Sequence, residues 1–356
     1  MHKFFLSADI EEIVQRLGDN AELLSGKTIL LTGGCGFLGR CLSAVVDQLN
    51  DGFVNVPIQL IVLDNFITAR DTNLAENWSP YHRIVEHDVI EPFMPEEGID
   101  FIIHAAGIAS PYYYREYPLE TLEVAISGTR NMLRLAKEKN ARFTFFSSSE
   151  IYGDPDPKHV PMPESYRGNV ASQGPRACYD ESKRVGETIC YIYHTKEGTH
   201  TNIIRPFNVF GPGMQENDYR VLPNFANRIK AGLPLNVYGD GSQTRTFCYI
   251  TDAIVGFFLV ILRGNPGATY NIGNPKPELS ILDLVKRIQK VSETRITYNL
   301  MKYPDSYPDD EPMRRSPDIR KAWKELGFEP EIDIDTGLKR FLSWADSIYT
   351  GEQAQF

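Results

Sequence analysis

The chain has 356 residues, 42% of them hydrophobic, which is enough for a large core in two lobes. Its 37 basic and 47 acidic residues give a net charge of −10 without any Lys/Arg cluster, which argues against a nucleic-acid binder. Five scattered cysteines and seven histidines show no metal-ligand spacing, so no metal site is expected, and the cysteines fit reduced thiols in the cytoplasm.

Residues 1–24 form an N-terminal extension in which Ser7 to Glu11 opens a short helix carrying Ile10, Ile13, Val14 and Leu17 on one face. It reads as a packing or dimer-contact extension, and acids interrupt it too soon for a signal peptide. The organising stretch follows, KTILLTGGCGFLGRCLSAVVDQL. Thr28 to Thr32 is an apolar, β-branched run suited to a strand buried on both faces. Gly33, Gly36 and Gly39 come next, and Leu38, Leu42, Val45, Val46 and Leu49 recur at helical spacing. The turn through Gly36, Phe37 and Leu38 therefore joins strand to helix. Its backbone N–H groups, free of side chains, suit a pyrophosphate at the helix start.

In dinucleotide-binding units an acidic residue stands about 20 residues further on. Here it is Asp64, followed by Asn65, at the end of the buried run Ile58 to Leu63. A carboxylate there accepts hydrogen bonds from an adenosine ribose and repels a 2′-phosphate, so NAD is expected rather than NADP. Asp88, beside Val89, reads either as an adenine contact or as a turn residue. Phe101 to His104 is another strand, and its end at Ala105 and Ala106 is small enough for a dinucleotide to lie against the backbone. The tyrosines 112 to 114 either meet substrate or pack a loop.

Glu120 to Lys139 is an amphipathic helix, and Arg142 to Phe146 is a strand running into Ser147, Ser148, Ser149 and Glu150. After a Pro/Gly-rich loop, Tyr179 and Lys183 stand four apart on one helix face, with Asp180 and Glu181 on a solvated side. An ammonium beside a phenol favours the phenolate, so Tyr179 could take a proton near neutral pH. Cys178 beside it reads as packing, since no base is evident for a nucleophile. Gly, Pro and Asn dominate 207–246, suggesting a loop-rich lobe. Phe247 to Leu262 returns as strand and helix, and its apolar run 254–262 is too short for a membrane span. Residues 274–345 read as mostly helices. The expected division is a cofactor domain over 25–206 plus 247–273 and a second lobe over 207–246 plus 274–345.

Together, GGCGFLG, Tyr179-x-x-x-Lys183 and the serine-rich strand end resemble the extended short-chain dehydrogenase/reductases that act on nucleotide sugars. The resemblance covers residues 27 to about 345 and implies a Rossmann-type, doubly wound parallel sheet of α/β class with a smaller C-terminal substrate lobe. Within that family the stretches around Asp64, Asp88, Glu150 and Tyr179 are most similar to the UDP-glucuronate decarboxylase branch. Dehydratases of the family carry Asp-Glu where this chain has Ser149-Glu150, and typical 4-epimerases lack the glutamate.

The resemblance implies NAD as cofactor, a UDP-sugar as substrate, and decarboxylation through a 4-keto intermediate with NADH recycled internally. In that scheme Tyr179 is the base, Lys183 tunes it, and Ser148 holds the hydroxyl. Ser149, Glu150 and Arg245 then stabilise or protonate the enolate. It also implies nucleotide contacts from Asn208, Arg220, Val221, Tyr238 and Arg314 or Arg315, a sugar-side role for Tyr114, and a homodimer through the helices Glu120–Lys139 and Tyr179–Glu197. The chain departs from the pattern at Ala125, where many relatives have Asn, and in the segment AAGIASPYYY, which bears on the sugar recognised. A 4-epimerase, a 4,6-dehydratase and a non-catalytic NAD-binding protein stand as rival functions.

Overall fold

The computed structural model describes residues 2–69, 79–292, 295–302 and 312–352. Seven strands form one parallel sheet: β1 (Thr28–Thr32), β2 (Gln59–Asp64), β3 (His82–Glu86), β4 (Phe101–His104), β5 (Arg142–Phe146), β6 (Thr201–Pro206) and a last strand, Thr269–Ile272. The last strand lies outside β6, and the order continues β5-β4-β1-β2-β3. Leu31 pairs with Val62 of β2 on one side and Ile103 of β4 on the other. The strand order thus reverses on either side of β1.

Strand periodicity sorts the core into two layers. Ile29, Leu31, Val62, Ile103 and Ile204 face one layer, whereas Leu30, Ile61, Leu63, Ile102 and Ile203 face the other. The second layer is covered by Met132, Leu133 and Ala136 of the Thr129–Lys139 helix and by Ile189 and Cys190 of the Ala177–Glu197 helix. In the first layer the Ile250–Arg263 helix is buried at every residue from Ile250 to Leu262, as expected of a helix apolar all round. Among the described residues no helix is long and apolar enough to cross a membrane.

The N-terminal helix α1 (Ser7–Leu17) packs on the Ile250–Arg263 helix and on α2 (Phe37–Asn50), burying Ile10, Ile13, Val14 and Leu17. Asp9, also buried, accepts hydrogen bonds from the Tyr249 hydroxyl (2.6 Å) and from Arg340 (2.9 Å). Arg16 pairs with buried Asp252 at 2.7 Å. Charges taken out of water require partners of this kind.

The long helix expected over Glu120–Lys139 is interrupted. Its path runs through Pro118–Glu123, a π-helical turn Val124–Gly128, and Thr129–Lys139. The wider turn brings Gly128 so close to Val89 that an added Cβ would stand 2.8 Å from Val89 Cγ2. Residues 207–246 contain a helix as well as loops, Val221–Lys230, with Leu222, Phe225 and Ala226 on its buried face. Of 274–345, residues 293–294 and 303–311 lie outside the described ones. The rest holds the helices Ile281–Ser292, Arg320–Leu326 and Ile334–Ile348 with short strands between them.

Candidate active site

A cavity opens at the carboxyl edge of the sheet, where the strand order reverses between β1 and β4. Its floor is the glycine turn. Gly33 has φ +69°, and an added Cβ would stand 2.7 Å from Ala106 Cα, so the turn lies flat against the end of β4. A Cβ on Gly39 would run into the Gly33 carbonyl oxygen and Gly34 Cα, so this glycine lets α2 start tight on the turn. Gly36 is the N-cap of α2 and supplies no side-chain cap, which leaves the amides of Phe37 and Leu38 at the cavity wall for an anion.

Asp64, at the end of β2, lines the cavity beside this turn and is bonded to it. Its Oδ2 accepts from the Cys35 amide and its Oδ1 from the Phe66 amide, both at 2.9 Å. Burial raises its pKa, while these amides and the nearby Arg40 lower it. Asn65 donates to Asp88 at 2.9 Å, and Asp88 accepts from the Ile90 amide at 3.1 Å. Asp88 thus holds a turn and also lines the cavity, as do Val89, Ala105 and Ala106. A glycine cradle, an uncapped helix start and a carboxylate beyond it fit a dinucleotide.

The same cavity contains Ser148, Ser149, Glu150, Tyr179 and Lys183. The Tyr179 hydroxyl is hydrogen-bonded to Ser148. Lys183 donates to the Phe146 carbonyl at 2.9 Å, with its Nζ 5.8 Å from the Tyr179 ring centroid. A Cβ on Gly107 would stand 2.8 Å from that Nζ, so the backbone passes directly over the ammonium. The expected lowering of the tyrosine pKa is not what this geometry gives. Burial pushes Tyr179 up to about 12, partly opposed by Ser148. Burial also pulls Lys183 down to about 8, opposed by Glu187. The ammonium is held on a carbonyl beneath the phenol rather than against its oxygen, and desolvation outweighs pairing.

Behind Lys183, Glu187 accepts from Ser147 Oγ at 2.5 Å and from Arg205 through both oxygens, at 2.9 and 2.6 Å. Arg205 also reaches the Tyr152 hydroxyl at 2.6 Å. This buried network joins the end of β5, the Tyr179–Lys183 helix and β6.

Glu150 is clamped by two guanidiniums. Arg315 donates to it through both NH groups, one at 2.6 Å, and Arg176 donates to its Oε2. Both arginines are buried. Arg176 lies 3.7 Å from Asp180, which is buried rather than on a solvated face: the helix turns Asp180 towards Arg176 and away from water. Arg176 is a site residue that sequence reasoning misses. Its signals in the sequence are its position one turn before Asp180 and its place in the stretch Gly174 to Glu181 that resembles the family.

Asn208 (φ +40°) and Arg220 also line the cavity. Asn208 donates to the Thr246 carbonyl at 2.8 Å, and Arg220 Nε lies 3.0 Å from both oxygens of Asp218. Tyr114, Val221, Tyr238, Arg245 and Arg314 are not among its lining residues. Tyr114 is buried and stacks on Tyr179, Val221 opens the helix behind Arg220, and Tyr238 ends the strand Leu235–Tyr238. Arg245 is buried beside Arg315 in paired strands and donates to the Thr244 carbonyl at 2.9 Å. Exposed Arg314 pairs with Glu278 at 2.6 and 2.7 Å. Of the two neighbouring arginines, Arg315 is the one turned towards the site. Cys178 points its thiol at the Tyr114 carbonyl, 3.4 Å away.

The fold and this site define a nucleotide-binding α/β protein, and residues 29–273 match the NAD dependent epimerase/dehydratase family. The chain belongs to that family. It is 41% identical over 321 residues to UDP-glucuronic acid decarboxylase 1 of Xenopus tropicalis, covering 89% of this chain and 72% of that one. It is 40% identical over 312 residues to UDP-glucuronic acid decarboxylase 3 of Arabidopsis thaliana, covering 87% and 86%. Among solved structures it resembles UDP-glucuronic acid 4-epimerase from Bacillus cereus in complex with UDP-glucuronic acid and NAD. That likeness has a TM-score of 0.74 at 25% identity, over 90% of this chain and 100% of the other.

Proposed function

We propose that this protein is an NAD-dependent decarboxylase that converts UDP-glucuronate to UDP-xylose. The observation that carries the reading is Ser149-Glu150 facing the same cavity as Tyr179 and Lys183, in a chain about 40% identical to UDP-glucuronic acid decarboxylases over most of its length.

NAD, when bound, supplies an acceptor for the hydride of sugar carbon 4 and a donor of that hydride later in the turnover. Gly33, Gly36, Phe37, Leu38 and Gly39 would hold its pyrophosphate, Asp64 and Asn65 its adenosine ribose, and Asp88 and Val89 the adenine side. Tyr179 would take the proton of the carbon 4 hydroxyl, held by Ser148, and the positive charge of Lys183 beneath its ring would offset part of the burial that disfavours the phenolate. The sugar carboxylate then lies β to a ketone. Its C–C bond breaks to release carbon dioxide, leaving the electron pair as an enolate. Ser149 and Glu150 would stabilise that enolate or return a proton to carbon 5, with Arg245 acting from behind them, beside Arg315. Tyr179 gives its proton back as the ketone is reduced. Asn208 and Arg220 would hold the diphosphate side, with Val221, Tyr238, Arg314 and Tyr114 as outer contacts.

In this reading, 25–206 plus 247–273 hold the cofactor and 207–246 plus 274–345 the nucleotide sugar. A homodimer through the Pro118–Lys139 path and the Ala177–Glu197 helix would cover exposed Leu119, Tyr191 and Ile192. Five unpaired thiols suit the cytoplasm.

The likeness to a UDP-glucuronic acid 4-epimerase favours epimerisation as the second reading. Mass spectrometry of the protein with UDP-glucuronate, with and without added NAD+, separates the two. Loss of carbon dioxide, absent in Tyr179→Phe, is the expected result. An isomer of unchanged mass would establish the epimerase instead.

A further inference from the structure

The N-terminal segment reaches the glycine turn through one residue. The Phe4 ring lies flat under Arg40, with the guanidinium carbon 3.5 Å from the ring centroid. Arg40 sits in the first turn of α2, is buried, and donates from Nε to the Cys35 carbonyl at 2.5 Å. The Cys35 amide on the same residue donates to Asp64. The middle of the glycine turn is therefore gripped from both sides, by Arg40 at its carbonyl and by Asp64 at its N–H. A cation in the first turn of a helix opposes the helix dipole, and a buried one has lost its water. The Phe4 face, the Cys35 carbonyl and the nearby Asp64 carboxylate compensate for this.

The Phe4 backbone also passes close to Gly213, next to the Phe37 ring that lines the cavity. A Cβ on Gly213 would stand 2.5 Å from the Phe4 carbonyl oxygen and 3.4 Å from Phe37 Cδ2. The Arg220 guanidinium lies 5.8 Å from the Phe37 ring centroid. Trp344 Nε1 donates to the His2 carbonyl at 3.2 Å, which ties the segment down from the C-terminal side.

We infer that Phe4 is a positioning residue for the cofactor turn: by capping Arg40 it fixes the Cys35 peptide and so the amides that face the pyrophosphate. The inference rests on the reading of the cavity as an NAD site and not on the reaction carried out there. It gives the N-terminal segment a part in cofactor binding. Without the ring, Arg40 gains a route to solvent, the Cys35 carbonyl loses its donor, and the turn must be ordered by the cofactor itself.

The test is calorimetric titration of the full chain with NAD+ after removal of any co-purified cofactor, with Tm measured in parallel. Phe4→Leu keeps apolar bulk and removes the π face. It is expected to weaken NAD+ binding roughly threefold to thirtyfold, the range of a partly desolvated cation–π contact. Phe4→Trp is expected to stay within about twofold of wild type. In an Arg40→Gln background Phe4→Leu should have no further effect, because the two act through one contact. Unchanged NAD+ affinity in Phe4→Leu, or an undiminished effect in the Arg40→Gln background, would overturn the inference. Should Phe4→Leu fail to fold, Arg40→Lys probes the same link, since it keeps the charge and loses the Nε–H donor to Cys35. Weaker NAD+ binding in Arg40→Lys supports the inference and unchanged binding overturns it. A wild-type chain that does not bind NAD+ would overturn the cofactor reading itself, and this inference with it.

Discussion

The rings of Tyr114 and Tyr179 are stacked, their centroids 5.3 Å apart and their planes 12° from parallel. Both are buried, and the thiol of Cys178 is tied to the Tyr114 carbonyl. Tyr114 thus fixes the plane in which the Tyr179 phenol can face a substrate. Such stacks contribute about 0.5–1.5 kcal/mol beyond buried area. Tyr114→Leu is therefore expected to lower kcat roughly tenfold with a smaller change in KM, and Tyr114→Phe to retain most activity. Steady-state kinetics decides it, and a drop confined to KM would show that Tyr114 serves binding alone.

Lys183 makes a pH prediction with a definite sign. Its pKa is pulled down to about 8 from an ordinary 10.5, mainly by burial. Between those values the unfolded chain holds the proton and the folded one does not, so stability rises with pH across this window. Below it, a buried ammonium disfavours the fold. Lys183→Met should raise Tm by a few degrees at neutral pH, with the gain fading as pH climbs through the window, while turnover is lost. Thermal melts at several pH values would show the trend; a gain that grows with pH would contradict it.

Glu150 and its two arginines are best probed by unequal truncations. Removing the carboxylate leaves Arg176 and Arg315 buried without their shared anion, a loss of roughly 3–5 kcal/mol for pairs of this kind. Glu150→Ala should show most of that loss in urea unfolding. Glu150→Gln keeps one acceptor oxygen for the guanidiniums and should cost less. Equal costs would mean that the amide oxygen contributes nothing to holding the arginines.

Gly33→Ala would place a methyl group against the Ala106 backbone at a φ that side chains rarely adopt. The left-handed conformation alone costs about 1–2 kcal/mol, before the contact is counted. NAD+ titration and denaturation should both show a loss, and wild-type affinity would mean that the turn opens without harm.

The parts of the site that lie close together in sequence were readable from it. The strand β1, the three glycines and α2 are adjacent, and Tyr179 and Lys183 share one helix face, so periodicity and spacing reveal them. Arg315 meets Glu150 across 165 residues, and no local pattern carries that information. Asp180 looked solvated because its neighbours are polar, yet Arg176 one turn earlier draws it inward. The tyrosine pKa departs from the expected direction for a related reason. Spacing puts Lys183 beside Tyr179, but only the folded site shows the ammonium held on the Phe146 carbonyl. The π-helical turn at Val124 to Gly128 follows from close packing on Val89, which a helical pattern cannot register.

The hydrogen bond from Tyr249 to Asp9 spans 240 residues. During synthesis α1 emerges before the sheet, yet the helix that buries it is made after most of the sheet. Until then Ile10, Ile13, Val14 and Leu17 form an apolar stripe without its final partner, and the closing contact has a long loop to overcome. A segment made before the sheet thus reaches its place only after the Ile250–Arg263 helix has been made, so its docking reports that the sheet and that helix are already in hand.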